Sequence, residues 1–343
     1  MSPRGARHED QSPQLAVLFL GTGAREPTVE RSVAADLLIR GGEHILVDCG
    51  EGTQRQMLRS AAGLGGLSTI LLTHFHADHV LGLPGLLATL SDVREMPLLL
   101  AGPAGARELI DGFRTHFGRL GFDLEVMELE PGQKIERPDY RLVALPARHP
   151  GAAIGWALIE DERPGHLDPD AARRQGVTDG PALGRLAAGH DVQVDGRAVT
   201  SASVVGPSQP GRRVVFSGDT RPTDALAHAA DGADLLVHEA TFLSRDRERA
   251  EATGHTTAAE AARVAAAAHV RALALTHRSR RYTTADILDE ARRYFPNAFA
   301  PEDFDLIHVP LPEHGRPRLT PRESGSGPES GGKQKTSKVV GDR

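Results

Sequence analysis

Three histidines and an aspartate lie within six consecutive positions, in the order His74, His76, Asp78 and His79. They follow the apolar run 70–72, which is typical of a buried strand. In an extended turn His74 and His76 point to the same side, while Asp78 and His79 are suited to a second point close by. Imidazole nitrogen and carboxylate oxygen are ligands of zinc and similar divalent ions. The spacing therefore predicts a metal site, in preference to a surface loop that is histidine-rich by chance.

Residues of the same types follow later apolar runs, and the triplet Leu-Thr-His at 72–74 recurs at 275–277. A lone histidine before a proline is often structural, so both interpretations of His149 stay open on this argument. We predict one ion on His74, His76 and His149, and a second on Asp78, His79 and His277, with Asp219 bridging them. Paired ions roughly 3.5–4 Å apart favour hydrolysis of phosphoesters, amides or thioesters, and spacing does not choose among these.

Composition restricts the kind of protein. The chain has 343 residues with 39% hydrophobic and 25% charged content, enough for one large domain or two. A net charge of −6 argues against wholesale electrostatic binding of nucleic acid, so any RNA contact needs a local patch. Neither a membrane-spanning window nor a signal-peptide core is found, which favours a cytoplasmic enzyme. Cys49 is the only cysteine, so an internal disulfide is excluded.

Alternating strand and helix patterns predict an α/β protein, a sandwich of two sheets covered by helices, over residues 14–312. Residues 1–13 and 313–343 are polar and are predicted to be flexible tails. Between them, 160–212 is rich in glycine and proline, and its apolar runs are short. We interpret it as an inserted arm with partial order and little core of its own. Asp48, at another strand end, is either a ligand or a carboxylate that orients one, and we favour the second role.

Several motifs carry a resemblance to a known family: FLGTG at 19–23, VDCGEGTQRQ at 47–56, THFHADHVLGLPGLL at 73–87, SGDTRP at 217–222, VHEATF at 237–242, GHTTAAEAA at 254–262 and LTHRSRRY at 275–282. Over about 15–312 the chain resembles the ribonuclease Z family of the metallo-β-lactamase superfamily. The resemblance implies a four-layer αβ/βα sandwich, two zinc ions (or manganese), a homodimer and precursor transfer RNA as substrate. The implied reaction is removal of the 3′ trailer by in-line attack of a metal-bridging hydroxide, which leaves a 3′-hydroxyl and a 5′-phosphate.

The resemblance also implies roles for single residues. Asp78 would accept the proton, although it could act as a ligand alone, and Glu239 and His255 would assist near the leaving group. The arginines after the last ligand are either phosphate contacts or salt-bridged surface residues: Arg278, Arg280 and Arg281. One departure is Trp156, where the family usually has tyrosine.

The segment 160–212 corresponds to the family's protruding arm, which grips transfer RNA, and it keeps the pair Gly180-Pro181. Residues 161–213 hold seven acidic residues, seven arginines and no lysine. We expect the arm to project from the metal edge and to contact RNA backbone through Arg173, Arg174 and Arg185. The alternative is a loop without an RNA role.

Two rival functions would also use such a site. One is a small-molecule phosphodiesterase or arylsulfatase-like hydrolase on the same fold, for which so long an arm has no evident use. The other is an RNA-binding protein with a structural metal site. Structural zinc sites are closed and mostly thiolate, so the predicted ligands disfavour it.

Overall fold

Two β-sheets form the centre of the computed structural model, which describes residues 13–178 and 180–322. Strands and helices are numbered along the chain. The first sheet contains β1 (Leu15–Gly21), β2 (Ala35–Arg40), β3 (Glu43–Val47), β4 (Leu67–Leu71), β5 (Leu98–Gly102), β6 (Leu124–Glu128), β16 (Leu306–His308) and β17 (Arg318–Thr320). The second contains β7 (Lys134–Glu136), β8 (Tyr140–Pro146), β9 (Ile154–Glu160), β12 (Arg213–Phe216), β13 (Leu235–Glu239), β14 (Leu273–Thr276) and β15 (Ala298–Phe299). The spatial orders are β17-β16-β1-β2-β3-β4-β5-β6 and β15-β14-β13-β12-β9-β8-β7.

Helices cover the outer face of each sheet. The first sheet packs against α1 (Thr53–Arg59), α3 (Leu83–Val93) and α4 (Ala106–Phe117), and α2 (Ala77–Val80) precedes α3. The second packs against α7 (Asp224–Ala229), α8 (Arg247–Thr253), α9 (Ala258–Ala267) and α10 (Thr284–Ala291). Alternate side chains of a strand point to opposite faces. In β1, Val17 and Phe19 therefore pack between the sheets, whereas Leu18 and Leu20 pack against helices. The predicted four-layer sandwich is confirmed.

The parallel strands deliver their polar residues to one edge. β12, β13 and β14 are parallel neighbours in the second sheet, and they lead into Asp219, Glu239 and His277. In the first sheet β3 and β4 are parallel and lead into Asp48 and His74. Because the carboxyl ends of parallel strands meet at the same edge, both sheets contribute to one cluster.

The inserted segment 160–212 has a small core of its own. It contains α5 (Pro169–Arg174), α6 (Pro181–Ala187) and a hairpin of β10 (Val192–Val194) and β11 (Arg197–Val199). Six buried residues pack together in it: Ala172, Val177, Leu186, Val192, Val199 and Val204. The arm is therefore ordered around a small core, whose side chains come from short runs that meet only in the folded arm.

The position of the arm also differs from the prediction. β9 starts beside the cluster, where the Ile154 N–H donates to the Thr73 carbonyl at 2.9 Å. It then runs away, antiparallel to β12, with Trp156 opposite Phe216 and Ile159 opposite Arg213. The arm thus joins the sheet at the far end of a seven-residue strand, roughly 20 Å from the edge that carries the cluster. The expectation that it projects from that edge is wrong.

Part of the predicted C-terminal tail belongs to the fold. A 3-10 turn spans Pro312–His314, and β17 pairs antiparallel with β16. The tail prediction is therefore wrong for 313–322, while 1–12 and 323–343 lie outside the described residues. Among the helices of the described chain, none combines the length and apolar character needed to span a bilayer.

A buried ion cluster holds the root of the arm. The Glu160 carboxylate accepts hydrogen bonds from Arg212 Nε at 2.7 Å and from Arg40 Nε at 3.0 Å. Arg212 also donates to the carbonyls of Pro13, which precedes β1, and Val309, which follows β16. It therefore joins the arm root to two strands of the first sheet.

Replacing Arg212 with methionine should lower the free energy of unfolding by about 3 kcal/mol, because it leaves Glu160 buried with one cation fewer. Urea titration followed by circular dichroism measures this. Arg114→Met is the matched control, since Arg114 pairs with Asp111 on the exposed surface and should contribute little. Equal losses in the two variants would contradict a structural role for Arg212.

Candidate metal centre

Three imidazoles converge at the end of β4. His74 Nε2 lies 3.0 Å from His76 Nδ1, and His149 Nε2 lies 3.2 Å from the same atom. Nitrogens around one tetrahedral zinc, each bound at 2.0–2.1 Å, stand about 3.3 Å apart. The three rings therefore have the spacing of ligands to a single ion.

A second set lies beside the first. His277 Nε2 is 3.2 Å from Asp78 Oδ2 and 3.3 Å from His79 Nε2. Asp219 Oδ2 lies 3.5 Å from His79 Nε2 and 3.7 Å from His74 Nε2, so this oxygen faces both sets. The structure thus brings all seven predicted ligands together in a cluster that can bind metal.

One carboxylate orients a ligand of each set. Asp48 Oδ2 accepts a hydrogen bond from His79 Nδ1 at 2.7 Å and another from Thr73 Oγ1 at 2.8 Å. Because the Thr73 hydroxyl donates to Asp48, it accepts from His74 Nδ1 at 3.0 Å. Both imidazoles therefore keep Nε2 free for an ion, as metal-binding histidines do. This is the orienting role favoured for Asp48 from the sequence.

His149 and His277, one ligand of each set, are oriented by hydrogen bonds in the same way. His149 Nδ1 donates to the Gly254 carbonyl at 3.0 Å. His277 Nδ1 donates to Thr241 Oγ1 at 2.9 Å, since that hydroxyl gives its own proton to Glu239 Oε2 at 2.6 Å. Thr73 and Thr241 both lie within the motifs at 73–87 and 237–242, but their orienting roles were not predicted from the sequence.

A glycine is required beside Asp219. Gly218 has φ +59°, and a Cβ there would meet the Thr73 Cβ at 2.9 Å. A side chain would both strain the backbone and push apart the two strand ends that carry His74 and Asp219.

Glu239 is the buried hub behind the ligands. Its carboxylate accepts from the N–H groups of Thr220 and Thr256 at 2.8 and 3.1 Å, and it pairs with His255 Nδ1 at 3.0 Å. Burial alone would raise the pKa of Glu239, but the charge and hydrogen bond of His255 lower it below its usual range.

His255 lies next to both ligand sets, with its ring centroid 5.0 Å from that of His149 and 5.4 Å from that of His277. Burial would lower the pKa of His255, but the Glu239 carboxylate outweighs it and raises the pKa to about 9. The Glu239 carboxylate therefore favours the protonated form of this imidazole.

Asp78 is held as a carboxylate at the mouth of the cluster. Its Oδ2 accepts from the Arg25 N–H at 2.6 Å. Burial raises the pKa of Asp78, but the hydrogen bond and charge of His277 dominate and lower it well below the usual range.

Comparison with known proteins agrees with this geometry. The model of the metallo-beta-lactamase superfamily matches residues 31–277. The chain is 47% identical to the ribonuclease Z of Haloferax volcanii, over 85% of this chain and 94% of that one. It is 45% identical to the ribonuclease Z of Gemmatimonas aurantiaca, over 87% and 97%. The chain belongs to the ribonuclease Z family of this superfamily.

Solved structures support the assignment of the fold. Human tRNase Z, short form, superposes with a TM-score of 0.64 and 27% identity, over 86% of this chain and 100% of that one. The metallo-beta-lactamase fold protein YhfI from Bacillus subtilis gives 0.63 at 19% identity, over 87% and 100%, which shows the fold alone. The predicted family resemblance is confirmed.

An open cleft of about 780 Å³ exposes the cluster of metal ligands to solvent. Four arginines line it, together with Phe242 and Thr253: Arg25, Arg249, Arg280 and Arg281. Arg280 Nε forms an ion pair with Glu26 at 2.9 Å. Sequence reasoning missed Arg25 and Arg249. The position of Arg249 shortly before the motif that contains His255 is the signal that could have found it.

Of the two alternatives for Arg278, the structure favours the salt-bridged residue over the phosphate contact. Its side chain is buried, its guanidinium forms an ion pair with Glu302 at 3.2 Å, and it donates to Thr284 Oγ1 and the Pro301 carbonyl. A guanidinium enclosed in this way has no access to a phosphate.

The described residues of the arm do not line the cleft. Gly180 and Pro181 begin α6, while the predicted RNA contacts on the arm are exposed at the surface: Arg173, Arg174 and Arg185. Their role in binding RNA stays a prediction.

Proposed function

We propose that this protein is a metal-dependent endoribonuclease that removes the 3′ trailer from precursor transfer RNA, leaving a 3′-hydroxyl and a 5′-phosphate. The observation that carries the proposal is two ligand sets, joined by Asp219, at the floor of an arginine-lined cleft. Membership of the ribonuclease Z family supports the choice of substrate over a small phosphodiester.

The donor atoms fit divalent ions. They are imidazole nitrogens and carboxylate oxygens open to a cleft, unlike the closed and mostly thiolate ligands of structural zinc sites. We propose two Zn²⁺ per chain, with Mn²⁺ as the alternative. Paired ions supply Lewis acidity at the phosphoryl oxygens and lower the pKa of water toward neutrality.

The protein's own groups would move the protons. Asp78, held as a carboxylate by Arg25 and His277, accepts the proton of the attacking water. His255, kept protonated by Glu239, donates a proton to the departing 3′ oxygen. Glu239 orients His255 and takes no part in the transfer itself.

Incubation with a precursor transfer RNA, followed by mapping of the new 3′ end and metal analysis, tests the function. We expect one cut at the 3′ side of the mature sequence and close to two ions per chain. Hydrolysis of an aryl phosphodiester without RNA cleavage would instead favour the small-molecule hydrolase. RNA binding without cleavage of either substrate would favour the RNA-binding protein.

The cleft arginines are proposed to hold substrate phosphates. Arg280→Ala/Arg281→Ala should raise KM for precursor and flatten the salt dependence of RNA binding by about 0.7–0.9 in slope per lost contact. Filter binding at several salt concentrations measures the slope. Arg119→Ala, an exposed arginine outside the cleft, is the control. If KM and the salt slope change no more than in this control, Arg280 and Arg281 are ordinary surface residues.

We propose that the arm recognises the body of the transfer RNA. Its root lies at the end of β9 remote from Asp219, so it would meet RNA far from the cut or RNA bound to a second copy of the chain. A homodimer, as the family resemblance implies, suits the second arrangement, and light scattering measures the mass in solution. Processing of transfer RNA also favours the cytoplasm as the place of action.

Replacing 163–210 with a short Gly-Ser linker should greatly reduce precursor cleavage and spare hydrolysis of an aryl phosphodiester, because the arm supplies none of the clustered ligands. Both activities are measured on the same preparation. A parallel loss of both would show that the arm supports the fold, and retention of both would show that it does not recognise RNA.

A further inference from the structure

A second arginine-lined pocket, of about 590 Å³, lies across α8 from the cleft. Arg249 and Thr253 of α8 face the cleft, whereas Arg247 faces the pocket. The pocket lining contains four arginines and two acids: Arg148, Arg221, Arg247, Arg263, Asp224 and Glu260. In a chain of net charge −6, this is a local concentration of positive charge with no part in the steps above.

Two of the pocket's arginines are close in sequence to ligands of the metal cluster. Arg148 directly precedes the ligand His149, and Arg221 follows Asp219 by two residues. The Arg221 N–H donates to the Arg148 carbonyl at 2.9 Å, and the Arg221 guanidinium donates to the His255 carbonyl at 2.5 Å. Arg148 and Arg221 therefore lie directly beside the segments that carry His149 and Asp219.

Two of the four guanidinium groups are already neutralised. Arg221 binds both oxygens of Glu260, at 2.7 and 3.0 Å. Arg247 Nε pairs with Glu251 at 2.8 Å and lies 3.7 Å from Glu260. Arg221 and Arg247 therefore line the pocket with their charges already paired.

The other two guanidinium groups are available. Arg148 is exposed, and Arg263 lies over the Tyr294 ring at 4.0 Å from its centroid. Within residues 13–178 and 180–322, neither forms an ion pair with a carboxylate. Stacking on an aromatic face leaves the edge of a guanidinium free, and that edge matches the oxygens of a phosphate.

We propose that this pocket binds the phosphodiester backbone of nucleotides next to the scissile phosphate, with Arg148 and Arg263 as the contacts. The inference rests on the proposed function and adds a backbone site outside the cleft. Such contacts position RNA without reading its sequence. Both the trailer and the acceptor stem carry such backbone phosphates. The experiment distinguishes which of the two occupies the pocket.

The test uses the metal-loaded enzyme and the two products of the reaction, which are bound but not cut. Fluorescence anisotropy compares wild type with Arg148→Gln/Arg263→Gln, using a 5′-phosphorylated trailer oligonucleotide and mature transfer RNA. We expect the product that occupies the pocket to bind on the order of tenfold more weakly, with a salt slope lower by about 0.7 per contact for a single strand. Arg114→Gln/Arg119→Gln is the matched control for charge.

Unchanged binding of both products, or a loss equal to that of the control, would overturn the proposal. A variant with reduced metal content or slower aryl phosphodiester hydrolysis would also overturn it, because the two arginines would then support the cluster. Failure of the proposed function is recognised separately, since it would appear in wild type as binding of these RNAs without precursor cleavage.

Discussion

Replacing Asp219 with alanine should empty the metal centre and abolish cleavage of precursor transfer RNA. Its Oδ2 faces both ligand sets, so neither set remains complete without it. Loss of several kcal/mol of charge stabilisation in the transition state corresponds to a rate lower by roughly 10³-fold or more. Metal analysis and single-turnover cleavage on the same preparation measure both effects.

His76→Ala separates the two sets. Among the two predicted sets, His76 belongs only to the first, so this variant should lose less metal than Asp219→Ala. Asp111→Ala, at an exposed ion pair, controls for the removal of a carboxylate. Full metal occupancy and full activity in Asp219→Ala would refute the bridging arrangement.

The second large effect is expected from His255→Ala. Removal of a general acid lowers a rate by about 10²–10⁴-fold when the leaving group needs a proton. The 3′ oxygen of an RNA needs one, whereas an acidic phenol does not. Cleavage of precursor should therefore collapse, and hydrolysis of an aryl phosphodiester with a good leaving group should stay within a few-fold of wild type.

The pH dependence of the rate should also differ between the precursor and the aryl phosphodiester. Glu239 raises the pKa of His255, and the acid form is lost as pH rises through that pKa. Precursor cleavage by wild type should therefore decline at alkaline pH, and aryl hydrolysis should lack this decline. Asp78→Asn is the contrast, because loss of the base should slow both substrates. Equal behaviour of the two substrates in His255→Ala would remove the acid assignment.

The strand ends were predictable because their signals are local. An apolar run followed within three residues by His74, Asp219 or His277 is a short-range pattern, and the two sheets follow from several such runs. Their meeting at one edge follows from the rule for parallel strands. The orienting bonds through Thr73 and Thr241 were not predictable, since each depends on a rotamer fixed by residues elsewhere in the chain.

Long-range partners explain the errors. Arg278 follows a ligand directly, but its ion-pair partner Glu302 is 24 residues further on. The core of the arm joins residues such as Val177 and Val192, whose own neighbours are polar or glycine. β9 was missed, and with it the antiparallel pairing that carries the arm root away from the metal edge.

The pairing of β9 with β12 separates the metal cluster from the arm, to which we assign recognition of RNA, along one ribbon. At one end Trp156 donates to the Leu72 carbonyl beside the metal loop, and at the other the Glu160–Arg212 pair closes the arm root. The buried strand β9 lies between these two ends. Changes in the arm beyond the Glu160–Arg212 pair are therefore separated from Asp219 by the length of this strand. Evolution could therefore lengthen, shorten or exchange the arm while the hydrolytic edge stays intact. The same junction is a natural grafting point for redirecting the enzyme to other RNAs.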